Sequence, residues 1–265
     1  MNRSEDLDEE IRVAHKIQMS TLPDFFPESP GYDFFGKFWP ADETGGDSFD
    51  LVSVGKDTVF VLLADATGHG IGPALSALQV QSMLRVALRM GAGLTEAFRH
   101  VNAQMAEDLP EGHFVTALFG LLNTATHEIE YQSAGQGPLL HFREHEEVFD
   151  LRDPVAPPLG FFEDIECPDS VRLKLEPGDI LGLISDGIFE YANERHELFG
   201  VERVARLIRA NRNLPMQELA EAIKATADAF GGGIRQRDDI TIVMIRRLPT
   251  AVGGESDEGR QRTSA

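Results

Sequence analysis

Strand-like and helix-like segments occur in blocks along this chain rather than in strict alternation. Three strand-like runs follow one another directly, FVTALFGLLN, EIEYQSA and PLLHF. Helical patterns stand on either side of them, at 73–90, 94–108, 201–211 and 215–229. Consecutive short strands favour antiparallel pairing in a meander. The separation of strands from helices therefore predicts an α+β fold, in which helices cover antiparallel sheets.

Other strand-like runs complete the expected sheets. They are YDFFGKFW, TVFVLL, residues 170–175, residues 180–185 and DITIVMIRR. The segment PADETGGDSFD separates the first two and is predicted to be a break without regular structure, because it is rich in turn-forming residues.

The first part of the chain predicts a helix over residues 5–22. Leu7, Ile11, Ala14 and Ile17 recur at spacings of three and four. This apolar stripe is narrow, and a helix of this length is marginal alone in water, so it needs a surface to pack on. That surface is either its own domain or the same helix of a second chain.

The resulting organisation has three parts. Residues 1–30 form a linker or regulatory helix, and residues 31–248 form the main domain. Residues 249–265 are rich in Gly, Ser and charged residues and are expected to be a disordered tail.

The acidic charge and the residue usage exclude several classes of function. The formal net charge is −20, which repels phosphate backbones, so nucleic acid is not an expected partner. The start of the chain has no apolar signal region, and no apolar run reaches the roughly 20 residues of a membrane span. Cys167 is the only cysteine, which excludes an intrachain disulfide. We therefore expect a cytoplasmic protein with no membrane contact.

Four aspartate sites share one sequence context beside glycines and apolar strand-like runs. They are Asp47, Asp65, Asp186 and the pair Asp238–Asp239. Because a buried carboxylate is costly unless it is paired or binds a metal, a shared cation is an economical explanation for them. Ligation by oxygen alone suits Mg²⁺ or Mn²⁺, and four carboxylates suit two such ions. The alternative is that each is an ordinary turn aspartate.

Five motifs in fixed order carry a family resemblance. They are Gly45-Gly46-Asp47-Ser48-Phe49-Asp50, Asp65-Ala66-Thr67-Gly68-His69-Gly70, Ser133-Ala134-Gly135-Gln136-Gly137-Pro138, Ser185-Asp186-Gly187-Ile188-Phe189-Glu190 and Asp238-Asp239-Ile240-Thr241. Together they resemble the bacterial SpoIIE/RsbU branch of the PPM (metal-dependent type 2C) serine/threonine protein phosphatases, over roughly residues 8–247. The resemblance implies an αββα sandwich with a two-metal cleft at one edge of the sheets, in which a bridging water attacks a phosphoserine or phosphothreonine.

The resemblance also implies a set of metal ligands. Asp65 bridges two Mn²⁺ or Mg²⁺ ions, and the Ala66 carbonyl binds one of them. Asp186 and Asp238 bind the other, and Asp47 binds directly or through a metal-bound water. Asp239 is a rival to Asp238, because adjacent residues of an extended chain point to opposite faces.

Asp65 and His69 are the predicted catalytic residues. The pKa of an ordinary histidine lies near neutrality, so His69 is a candidate for protonating the serine leaving group. The alternative is that it orders a metal-bound water or a turn. Ser48 and Gln136 depart from the family pattern, which usually has an aromatic residue and often a histidine there.

The resemblance further implies the partners. The usual substrate in this branch is a phosphorylated STAS-domain anti-sigma-factor antagonist, and the usual regulator is a sensor joined through an N-terminal helix. The N-terminal helix is therefore expected to mediate a homodimer or to contact a sensor partner. Two alternatives stay open, an inactive phosphatase-like binding module and a small-molecule phosphohydrolase.

Overall fold

Apolar runs of this chain form two sheets that pack face to face in the computed structural model, which describes residues 3–249. All pairs of neighbouring strands are antiparallel. The first sheet has the order β1-β10-β9-β6-β7 and the second the order β2-β3-β4-β5-β8. The strands are β1 (Tyr32–Trp39), β2 (Asp47–Gly55), β3 (Thr58–Ala66), β4 (Val115–Asn123), β5 (Glu128–Ala134), β6 (Leu139–Arg143), β7 (Val148–Arg152), β8 (Val171–Lys174), β9 (Ile180–Ile184) and β10 (Ile240–Arg247).

Helices cover the outer face of each sheet. They are α1 (Arg3–Thr21), α2 (Ile71–Arg89), α3 (Leu94–Asp108), α4 (Asp186–Phe189), α5 (Val201–Asn211) and α6 (Met216–Gly231). Helices α2 and α3 pack on the second sheet, and α5 and α6 pack on the first. The predicted α+β fold, an αββα sandwich of two antiparallel sheets with an N-terminal helix, is confirmed.

Strand β3 shows why the central strands are continuous apolar runs in the sequence. Val59, Val61 and Leu63 point into the core between the sheets, while Phe60 and Leu62 point into the layer under α2 and α3. Both faces of the strand are covered, so the alternation of apolar and polar residues that marks a half-exposed strand is absent.

Three local expectations were wrong. Strand β2 begins at Asp47, inside the segment predicted to be a break, because its glycines and aspartates concealed a strand with a buried face. The three successive runs do not form one meander, since PLLHF contributes β6, which pairs with β7 and β9 in the other sheet. Strand β7 was missed because its residues are only half buried at a sheet edge.

The N-terminal helix packs on the chain's own domain through its C-terminal end. Gln18 is buried and Met19 contacts the core between the sheets, whereas Leu7 and Ile17 of the predicted stripe remain exposed. Apart from Pro249, the predicted tail at 249–265 lies outside the described residues. Among residues 3–249, the helices are all too short or too polar to cross a bilayer.

Candidate active site

The two sheets are joined by a hydrogen bond at the end where the aspartates of the motifs lie. Asp47 opens β2 and stands directly opposite Asp65, near the end of β3. The hydroxyl of Thr241, in β10 of the other sheet, donates to the Asp47 carboxylate at 2.6 Å. Asp47 is buried and Asp65 is half buried. Strand register thus brings two of the predicted metal ligands together and ties them to the second sheet.

Asp186 and Asp238 approach the same end from the first sheet. Strands β9 and β10 are antiparallel neighbours, so Asp186, which lies just after β9, and Asp238, which lies just before β10, share one end of the sheet. Both carboxylates are exposed. Both also raise the pKa of Asp65 by their negative charge, so all three share one electrostatic environment.

Asp239 is buried and has a different role from Asp238. Its carboxylate accepts the backbone N–H of Ala41 at 2.8 Å and that of Gly46 at 2.6 Å. It therefore holds the β1–β2 loop in place, with its two oxygens already engaged. Among residues 3–249, the Asp238 carboxylate accepts only the N–H of its neighbour Asp239. This division supports Asp238 as the residue of the pair that is free to bind a metal.

Glycines leave the space that the candidate site needs. A methyl group on Gly46 would lie 2.5 Å from the Ala66 carbonyl oxygen and 3.4 Å from an Asp65 carboxylate oxygen. A methyl group on Gly187 would lie 1.9 Å from the Asp239 carbonyl oxygen, and one on Gly45 would overlap the Asp239 carboxylate. Only glycine at these positions lets the backbone approach Ala66 and Asp239 so closely.

The carboxylates have strongly perturbed pKa values in the metal-free protein. Burial, and then the charges of Asp186 and Asp238, raise the pKa of Asp65 to about 8. Burial and the charges of Asp238 and Glu190 raise the pKa of Asp186 to about 6, although its side chain borders solvent. Burial and the Asp65 charge raise the pKa of Asp47 well above its ordinary value, against the hydrogen bond from Thr241. It is therefore costly for Asp47, Asp65 and Asp186 to be ionised together without a cation.

The donor chemistry fits divalent cations that prefer oxygen. Among the ion pairs of the described residues, none involves Asp47, Asp65, Asp186 or Asp238. The space kept by Gly46 adjoins both the Ala66 carbonyl oxygen and an Asp65 oxygen. Carboxylate and carbonyl oxygens are the ligands that Mg²⁺ and Mn²⁺ favour. Within residues 3–249, no three His, Cys, Asp or Glu side chains are grouped closely enough to hold an ion between them.

His69 lies in the loop between β3 and α2, four residues after Asp65, and its side chain is exposed. The start of this loop is fixed by Thr67, whose N–H donates to the Phe114 carbonyl at 3.0 Å. The exposed ring of His69 is thus carried on the loop that directly follows the predicted ligand Ala66. This placement is compatible with either role considered for it.

Two buried glutamines support the site and were not found from the sequence. The side-chain amide of Gln18 in α1 donates to the Gly45 carbonyl at 2.7 Å, and its oxygen accepts the Gly45 N–H at 3.2 Å. Gln81 in α2 accepts from Ser48 at 2.9 Å and donates to the carbonyls of Thr21 and Phe49. Ser48, which departs from the family pattern, is thereby explained as part of this network. A polar residue within a helical pattern gave no signal of these long-range contacts.

Gln136, the other departure, also has a local partner. Its side-chain oxygen accepts the Thr116 hydroxyl at 2.6 Å, and Thr116 stands opposite Asp65 in β4. This hydrogen bond therefore ties Gln136 to β4 next to the candidate ligand Asp65.

The raised pKa values predict how the stability of the metal-free protein depends on pH. A carboxyl group with a raised folded-state pKa stabilises the fold fully below its unfolded pKa, near 4, and loses this contribution as pH rises through its folded pKa. For Asp65 that loss extends to about pH 8. Urea unfolding in a chelator should show wild type losing more stability between pH 5 and 8 than Asp65→Asn, which cannot ionise there. Equal losses in the two proteins would contradict the assigned environment of Asp65.

Comparison with known proteins adds the following findings. The family model described as Stage II sporulation protein E (SpoIIE) matches residues 55–248. Phosphoserine phosphatase RsbU of Bacillus subtilis (strain 168) is 23% identical over 243 residues, which are 92% of this chain and 71% of RsbU. Phosphoserine phosphatase RsbP of the same organism is 25% identical over 241 residues, which are 89% of this chain and 57% of RsbP.

Solved structures share the fold. The SiaA-PP2C domain of Pseudomonas aeruginosa superposes with a TM-score of 0.78 at 23% identity, covering 92% of this chain and 98% of that domain. The RsbU and RsbW domains of Rv1364c from Mycobacterium tuberculosis give a TM-score of 0.71 at 24% identity, covering 85% of this chain and 62% of that one. At these identities the likeness concerns the fold, an αββα sandwich, and not the substrate.

Proposed function

We propose that this chain, which belongs to the Stage II sporulation protein E (SpoIIE) family, is a metal-dependent phosphatase of phosphoserine or phosphothreonine proteins. The observation that carries the proposal is that strand register brings Asp47, Asp65, Asp186 and Asp238 to the same end of the two sheets, where burial and the charges of Asp186 and Asp238 raise the pKa of Asp65 to about 8. Such a concentration of carboxylates without basic partners is costly unless cations share it. The names of RsbU and RsbP, both phosphoserine phosphatases, support the same reaction class.

The proposed roles of the residues are those that the family resemblance implies. Asp65, the Ala66 carbonyl, Asp186 and Asp238 would hold two Mn²⁺ or Mg²⁺ ions, with Asp65 shared between them. Asp47, which accepts a hydrogen bond from Thr241, would bind directly or through a water. Ions held there would lower the pKa of a water and so supply a hydroxide nucleophile at neutral pH. Asp239 and Gln18 hold the Gly45–Gly46 turn against Ala66 and so keep the ligand positions in register.

The substrate we propose is a phosphorylated STAS-domain anti-sigma-factor antagonist, as the family resemblance implies. The experiment compares a serine-phosphorylated STAS-domain protein, free phosphoserine and p-nitrophenyl phosphate as substrates in Mn²⁺. A kcat/KM much higher for the phosphoprotein than for phosphoserine supports a protein phosphatase. Comparable values for the two would indicate a small-molecule phosphohydrolase, and no turnover of any substrate would indicate an inactive binding module.

His69 gives a prediction that separates its two roles. If it protonates the leaving group, His69→Ala should reduce turnover of a phosphoserine peptide far more than that of p-nitrophenyl phosphate, by about tenfold or more, because p-nitrophenolate leaves without a proton. Steady-state kinetics on both substrates measure this difference. Equal losses on both would assign His69 to ordering a metal-bound water.

A homodimer or sensor contact through α1 remains a proposal. Leu7 and Ile17 are exposed on α1, while Gln18 of the same helix reaches the turn that carries Asp47. A partner on the exposed face therefore has a physical route to the candidate site. Sedimentation of the protein as a monomer at high micromolar concentration would refute the homodimer.

A further inference from the structure

Two phenylalanines are presented to solvent by the segment that joins β7 to β8. The side chain of Phe161 is 50% exposed and that of Phe162 is 52% exposed. Their rings meet edge to face at 4.6 Å, and Phe161 meets Phe114 in the same way at 5.4 Å. We call Phe114, Phe161 and Phe162 the phenylalanine platform.

The backbone beneath the platform is firmly held. Buried Asn102 of α3 donates its side-chain amide to the Phe162 carbonyl at 3.0 Å and accepts the Gly160 N–H at 3.0 Å. Leu159 is fully buried and exchanges two backbone hydrogen bonds with Val115 of β4, at 2.8 and 3.0 Å. The rings are therefore exposed although their backbone is fixed. Fixed, exposed aromatic groups are characteristic of binding surfaces.

The platform is continuous with the candidate active site. Phe114 donates its N–H to the Thr67 hydroxyl at 3.1 Å and accepts the Thr67 N–H at 3.0 Å. Thr67 directly follows Ala66, the proposed carbonyl ligand, and Ala66 pairs with Val115. The backbone that carries Phe114 is therefore bonded directly to the residue that follows the proposed ligand Ala66.

Exposed acidic residues follow the platform directly along the chain. Residues 153–170 contain no lysine or arginine, and they contain five acidic residues, Asp153, Glu163, Asp164, Glu166 and Asp169. Glu163, Asp164 and Glu166 follow the two phenylalanines within four positions and are exposed, and we call them the acidic rim. Exposed aromatic rings next to such carboxylates are complementary to an apolar segment flanked by basic residues.

We propose that the phenylalanine platform binds an apolar segment of the phosphoprotein substrate that is flanked by lysine or arginine and lies next to the phosphoserine. This inference rests on the proposed function, because it takes the occupant to be the substrate. The rings supply apolar contact area, and the acidic rim selects the charge of the flanking residues.

Binding of two fluorescent phosphoserine peptides tests the proposal directly. One peptide carries leucine and arginine beside the phosphoserine, and the other carries serine and glutamate. Fluorescence anisotropy in Mn²⁺, recorded before the peptides are hydrolysed, should show wild type binding the first at least about tenfold more tightly. The double variant Phe161→Ala/Phe162→Ala should lose this preference while hydrolysing p-nitrophenyl phosphate at the wild-type rate in Mn²⁺.

Matched variants separate the platform from general effects. Leu151→Ala removes an equally exposed side chain on β7, in the other sheet, and should keep the preference. The variant Glu163→Gln/Asp164→Asn leaves the rings intact. It should weaken binding of the leucine–arginine peptide and leave binding of the serine–glutamate peptide unchanged. This variant provides the test if the double phenylalanine variant does not fold.

Three results would overturn the proposal. They are equal binding of the two peptides by wild type, an unchanged preference in the double variant, and a dimer in sedimentation that the double variant dissociates, which would make the platform a contact between copies. If wild type kept the peptide preference but did not hydrolyse p-nitrophenyl phosphate, the proposed function would be refuted. The proposal that the platform binds such peptides would then still stand.

Discussion

Asp65→Asn is expected to lower kcat/KM for p-nitrophenyl phosphate in Mn²⁺ by more than about a hundredfold, since loss of residues that only support metal ligands already costs about 10–100-fold. The variant should remain folded, because it removes a carboxylate whose pKa is raised to about 8 by burial and by the charges of Asp186 and Asp238. Its free energy of unfolding without metal at pH 8 should equal or exceed that of wild type.

The control for Asp65→Asn is Asp57→Asn. Asp57 is exposed in the turn at the opposite end of the β2–β3 hairpin, so the same chemical change there should leave turnover unchanged. Near-wild-type turnover of Asp65→Asn in Mn²⁺ would show that the two-metal assignment is wrong.

The adjacent pair Asp238 and Asp239 should respond in opposite ways to the same substitution. Asp238→Asn should abolish most Mn²⁺-dependent turnover with little change in stability, because its side chain is exposed. Asp239→Asn should lower the free energy of unfolding by about 1–3 kcal/mol, because an asparagine has one acceptor for the two buried N–H groups of Ala41 and Gly46.

Urea denaturation and titration with Mn²⁺ distinguish the two variants of this pair. Asp239→Asn should still bind Mn²⁺ in the fraction that remains folded, whereas Asp238→Asn should bind it weakly. If Asp239→Asn kept full stability and lost metal binding, and Asp238→Asn did not, the ligand would be Asp239.

The sequence predicted the sandwich because its central strands are strongly apolar and its helices are strongly periodic. The runs of β3 and β10 are covered on both faces, and such runs are visible without knowledge of the fold. Strand β2 was missed because glycine and aspartate at its start have a low strand propensity. These residues serve the candidate site instead, since Gly46 leaves room beside Ala66 and Asp47 accepts a hydrogen bond from Thr241.

The candidate site was predicted less completely than the fold. The motifs named Asp47, Asp65, Asp186 and Asp238 as candidate ligands, but they did not separate Asp238 from Asp239, whose difference depends on hydrogen bonds from residues about 200 positions away. Gln18 and Gln81 were missed for the same reason, because a glutamine in a helix is recognised as a brace only when its distant partners are known.

Anomalous diffraction from crystals soaked in Mn²⁺ tests the central claim most directly. We expect two manganese peaks in the cleft, both contacted by Asp65, one also contacted by the Ala66 carbonyl and the other by Asp186 and Asp238. Absence of peaks at these residues at millimolar Mn²⁺, or peaks coordinated by other side chains, would contradict the assignment of this site as a two-metal phosphatase centre.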